Sequence, residues 1–87
     1  MNKHILIAMD WKNRSKEELE KNSDSALDVA ADAAAYYAYS AVDVAADAAA
    51  DAASDAASEV EYWINMYFEV TGENREDYEK ALEEMRE

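Results

Sequence analysis

Cysteine and proline are absent from the 87 residues, and glycine and histidine occur once each. Without cysteine there is no disulfide and no thiolate chemistry. With Gly72 alone, no glycine-rich loop exists to hold a phosphate. His4 has no cysteine or ordered acid cluster beside it in sequence, so it completes neither a metal site nor a serine-activating pair. Lone acids on a helix do not enclose the roughly six or more oxygen ligands of a calcium site, and the Glu-x-x-His of helical di-metal sites is missing. We therefore expect no metal, no cofactor and no catalytic residue; the chain does not read as an enzyme. The apolar run Ile5-Leu6-Ile7-Ala8-Met9 is closed by Asp10, too short for the apolar region of a signal peptide. No segment approaches a membrane span. A cytoplasmic protein is the expectation.

The absence with the most consequence is that of basic residues. Between Asn22 and Asn74 there are eleven acids and no lysine or arginine, within a net charge of −13. A polyanion of this kind repels DNA, RNA and anionic membranes, and favours basic proteins, among them those that normally hold nucleic acid.

What is present in that stretch is alanine. From Ala26 to Ser58, seventeen of thirty-three residues are alanine, the strongest intrinsic helix former. No residue between Asn22 and Thr71 is a helix breaker, and Gly72 is the first that could stop one. The composition predicts one long helix over residues 16–71, with weak points for a break at 22–25 and 36–40. Unbroken, the fifty residues from Asn22 would make a rod of roughly 75 Å. A domain of this length should have a radius of gyration of about 12 Å. Either the rod packs against copies of itself or it folds back as a hairpin.

The acids follow a rule. Asp24, Asp28 and Asp32 are spaced by four; Asp43, Asp47, Asp51, Asp55 and Glu59 repeat that spacing after a gap of eleven. On a continuous helix each step advances about 6 Å and about 40°, giving a right-handed stripe of carboxylates. Two readings compete for it. One is solubility for an alanine rod. The other is a functional anionic surface that occupies a nucleic-acid-binding groove. The pitch match to B-DNA is poor, about 54 Å per turn against about 34 Å. Tyr36, Tyr37 and Tyr39 interrupt the alanines. Three phenols within four residues cannot share one face, so they read as packing residues or as a stacking platform for a small ligand such as a nucleotide. From Ala45 to Ser58 nothing is larger than aspartate, which predicts the closest helix contact there.

The ends carry the large side chains. Ile5, Leu6, Met9 and Trp11 open the chain on a short helix within residues 1–14. Ser15 and Glu18 form a capping box that starts the next helix at about Lys16. Val60, Trp63, Ile64, Tyr67 and Phe68 recur at helical spacing and are the expected core partners of the opening segment. Gly72 ends that helix, and Asn74 caps a last one over 75–86, with Tyr78, Leu82 and Met85 on one face.

The opening Met1-Asn2-Lys3-His4-Ile5-Leu6-Ile7-Ala8, the centre of Ala, Asp and Tyr, and the ending Glu61-Tyr62-Trp63-Ile64-Asn65-Met66-Tyr67-Phe68-Glu69-Val70-Thr71-Gly72-Glu73-Asn74 resemble small alanine-rich proteins of tailed bacteriophages. The resemblance carries no catalytic residue over. It implies a context in which small acidic phage proteins bind and block host factors, including restriction, recombination and other defence systems. The expectation from sequence is thus an all-α protein, a long acidic helix or helical hairpin flanked by two short helices, assembled as a homo-oligomeric bundle. It would inhibit a basic host protein through the anionic stripe, as a decoy for DNA. A sponge for a nucleotide-type signal and a purely structural bundle are the alternatives.

Overall fold

The N-terminal segment closes over a layer of three helices. The structure is a computed structural model and describes residues 1–50 and 54–86, all of whose regular structure is helical. Its elements are α1 (Lys3–Met9), a 3₁₀ turn (Trp11–Asn13), α2 (Lys16–Asp28), α3 (Ala33–Ala50), α4 (Ser54–Thr71) and α5 (Arg75–Arg86). α3 lies between α2 and α4, and α1 crosses one side of the layer, touching all three. α2 and α3, and α3 and α4, are joined by only a few residues and pack side by side, so α3 runs antiparallel to both neighbours.

The helix boundaries follow local chemistry where the sequence supplies it. The Asn2 carboxamide accepts from the amides of His4 and Ile5, capping α1. Ser15 Oγ accepts from the Glu18 amide at 3.2 Å and starts α2. Gly72 takes φ +69°, the left-handed conformation that ends α4, and its amide donates to the Phe68 carbonyl. The Asn74 side chain accepts from the Glu76 amide at the start of α5.

The expected single helix over 16–71 is broken, and not at either anticipated weak point. Residues 22–25 and 36–40 are both helical; the chain turns at residues 29–32. No glycine or positive φ is needed there. The amides of Val29, Ala30 and Ala31 donate to the carbonyls of Ala26, Leu27 and Val29, tightening the end of α2. Asp32 then caps α3 by accepting from the Ala35 amide at 2.8 Å. Folding back at this point lays α2 on α3 and buries Ala26, Ser23, Ala38 and Ala46, which an extended rod would leave in water. The radius of gyration is 11.9 Å and the longest axis 32 Å, so the rod does not form.

The core sits under α1. Ile5 and Ala8 meet Ala38, Ala41, Val42 and Ala45 of α3, Leu19 of α2, and Val60, Ile64 and Tyr67 of α4. Ile5, Leu19, Ala41, Val42 and Ala45 have no exposed surface. Of the residues expected to form the core, Ile5, Val60, Ile64 and Tyr67 are buried, and Leu6, Met9, Trp11, Trp63 and Phe68 pack partly buried against them. On α5, Tyr78 and Leu82 are buried while Met85 is exposed. Alanines allow the close approach of α3 to its neighbours. The alanine face was expected to be covered either by copies of the chain or by a fold-back within it; α1, α2 and α4 cover it within one chain.

Candidate functional site

The two sides of the three-helix layer differ. On the α1 side, a polar network ties the ends of the fold together. The Asn2 amide donates to Tyr78 Oη at 2.8 Å, and the Tyr78 and Tyr67 hydroxyls both donate to the Glu73 carboxylate. Phe68 stands edge-on to Tyr78 at 5.0 Å. Burial is the first cause that raises the Tyr67 phenol far above its ordinary value of 10, with the Tyr78 and Glu73 hydrogen bonds adding to it. His4 is buried on this side and shares a 2.8 Å hydrogen bond from Nδ1 to Asn22 Oδ1. These hydrogen bonds tie the N-terminus, α2, α4 and α5 together.

The other side carries the acids, but not as one stripe. Asp24 and Asp28 lie on α2, Asp32 is the cap of α3, Asp43 and Asp47 lie on α3, and Asp55 and Glu59 lie on α4. Asp51 falls outside the described residues. Because α3 and α4 are antiparallel, Asp43, Asp47, Asp55 and Glu59 do not wind along a single axis. The regular carboxylate ladder expected of a continuous rod is therefore replaced by clusters. The fold brings Asp24, Asp43 and Asp47 together with Glu20 around an open groove of about 260 Å³ between α2 and α3, floored by Ser23 and Ala46. Ser23 Oγ donates to Asp43 Oδ1 at 3.3 Å. Glu20 was not singled out from sequence, although it precedes Asp24 by the same step of four. Among the described residues, no three acids or imidazoles converge closely enough to hold a metal ion. No helix among them is long and apolar enough to cross a membrane.

The tyrosines also separate. Tyr37 stacks on Trp63 of α4 at 5.9 Å, Tyr39 turns toward the acid groove, and Tyr36 stands between them, 53% exposed. Asp43, and then burial, Tyr36 and Asp24, push the Tyr39 phenol above its ordinary value of 10. Tyr36 lies 6.3 Å from Tyr37 and 6.2 Å from Tyr39, and Trp63 meets Tyr62 edge-on at 5.1 Å. The five rings thus form one string across α3 and α4. Its α4 end, Tyr62, is 55% exposed and escaped the sequence reading, which placed Trp63 in the core and passed over its neighbour. The three phenols do not lie in one plane: the Tyr36 ring is tilted 66° to Tyr37 and 55° to Tyr39.

A larger groove of about 470 Å³ between the 3₁₀ turn and α4 mixes Lys12 and Glu61 with Met9 and Trp11, and concentrates neither charge nor reactive groups. No family model matches the chain, and neither a curated protein nor a solved structure gives a significant match. The geometry alone therefore bears on function. It offers an anionic, aromatic surface.

Proposed function

We propose that this chain is a non-enzymatic binding protein that blocks a basic, nucleic-acid-handling host protein, in the cytoplasm of a bacterium infected by the phage that encodes it. The observation that carries the reading is one-sided charge: eleven acids and no base between Asn22 and Asn74, with Glu20, Asp24, Asp43 and Asp47 drawn to one groove. Side chains kept for solubility alone have no reason to converge, because like charges brought together repel. The mechanism is electrostatic competition, the carboxylates occupying the surface where the partner holds phosphates. Clustered acids on antiparallel helices support a compact decoy for charge better than a replica of the DNA helix.

The test is retention of host proteins from bacterial lysate on the tagged protein at about 0.05 M and about 0.5 M salt, across which screening shortens several-fold. The expected result is a basic nucleic-acid-binding protein held at low salt and released at high salt. Retention that ignores salt would sink the mechanism. Light scattering of the purified protein reports self-association alongside, as the homo-oligomer expected from sequence is no longer required by packing.

The nucleotide sponge finds less support. The Tyr37 face is taken by Trp63, and the Tyr39 phenol lies beside Asp43 and Asp24, whose charge opposes an anionic ligand.

A further inference from the structure

The five rings touch from one to the next, and two of them, Tyr36 within the string and Tyr62 at its α4 end, are more than half exposed. Contiguous exposed apolar surface on a small protein marks a place where something docks. Here acids flank the two ends of the string. Asp43 follows Tyr39 by one helical turn, Asp24 faces it from α2, and Glu59 precedes Tyr62 by nearly one turn. Resting on the reading of a basic protein partner, we infer that the string Tyr39–Tyr36–Tyr37–Trp63–Tyr62 is a seat for arginine side chains of that partner, which stack on the exposed rings while their guanidinium groups pair with Asp24, Asp43 and Glu59.

One feature selects arginine over lysine, and two exclude an occupant from this chain itself. A planar guanidinium matches a ring face and keeps its donors free for carboxylates, whereas a lysine ammonium is a hydrated point charge. Among the described residues, no lysine or arginine lies over these rings. The cation–π contacts among them, Lys12 over Trp11 and Arg75 over Phe68, lie elsewhere, and no lysine or arginine occurs from Asn22 to Asn74. A second copy of the chain is a poor occupant, because it would bring net charges of −13 together and set acids against acids.

The experiment compares fluorophore-labelled nona-arginine and nona-lysine peptides, equal in charge, by anisotropy at about 0.05 M salt. Stacking predicts that nona-arginine binds about tenfold tighter. Tyr36→Ala with Tyr62→Ala, both at exposed positions and checked for fold by circular dichroism, should lower arginine binding to the lysine level and leave lysine binding unchanged. Tyr36→Phe with Tyr62→Phe keeps the ring faces and should keep the preference. Equal affinity for the two peptides, unmoved by the alanine pair, overturns the seat but leaves the electrostatic reading standing. Binding of neither peptide overturns both. A wild-type dimer that the alanine pair dissolves shows a self-contact, and overturns the seat as well.

Discussion

The closed and open sides of the helical layer are built from different residues. Facing α1, α3 shows Ala38, Ala41, Val42 and Ala45, none more than 1% exposed. Exposed or half-buried on the same helix are Tyr36, Tyr39, Asp43 and Asp47. Small side chains on the closed side let Ile5, Leu19 and Ile64 come close to the α3 backbone, and that contact supplies the apolar burial that holds the fold. The open side contributes little to that burial and gathers like charge, which costs a little stability. The difference separates what folds the protein from what it presents. Residues on the open side are then available for a partner without being needed for the core.

That separation can be broken most directly from the closed side. Ile5→Ala removes a fully buried side chain under α1 and should cost about 2–5 kcal/mol, a large share of the stability of a domain this small. Urea denaturation measures it, and a loss under about 1 kcal/mol would mean that α1 is a loose cover rather than part of the core. A smaller effect is expected at the polar tie beside it. Tyr78→Phe removes the hydroxyl that accepts from Asn2 and donates to Glu73, at a cost of about 1 kcal/mol.

The same tie should respond to alkali. Tyr67 is held neutral in the fold above its ordinary value of 10, whereas the unfolded chain ionises there. The folded pKa is the raised one, so the contribution is complete below pH 10 and is lost as the pH climbs from 10 toward the folded value. Tyr67→Phe should flatten the fall in urea midpoint between pH 10 and about 11.5 relative to wild type.

The smallest stability change sharpens the comparison from the open side. Asp24→Asn, Asp43→Asn and Asp47→Asn together should leave the melting temperature unchanged or raise it slightly, since relieved like-charge pairs are worth about 0.2–0.5 kcal/mol each. Binding to a basic partner should fall progressively through the series. A triple variant that unfolds would show that the open side is structural after all.

The sequence showed its helix ends where single residues have special chemistry. Ser15, Gly72 and Asn74 act where expected because a hydroxyl cap, a positive φ and a carboxamide cap are local devices. The turn at 29–32 was hidden because Val29-Ala30-Ala31-Asp32 holds no glycine or proline, and Asp32 sits in step with the other acids. Its one trace was the gap from Asp32 to Asp43, which starts at the cap and spans the tyrosines. The inner face of α3, at Ala38, Ala41, Val42 and Ala45, was not picked out, because alanine in an alanine-rich segment gives little contrast between faces. The convergence of Glu20, Asp24, Asp43 and Asp47 depends on the fold-back, and the string from Tyr36 to Tyr62 depends on α3 meeting α4. Neither follows from spacing along one helix.

The central claim is that the open side, and not the charge of the chain as a whole, receives the partner. Titration of the isotope-labelled protein with nona-arginine, followed by amide and indole shifts in solution NMR, tests it most directly. The account predicts shifts confined to residues 20–24, 36–47 and 59–63, including the Trp63 indole, with α1 and α5 unmoved. Shifts spread evenly over every acidic residue, or centred on the Glu76–Glu84 surface of α5, would contradict it.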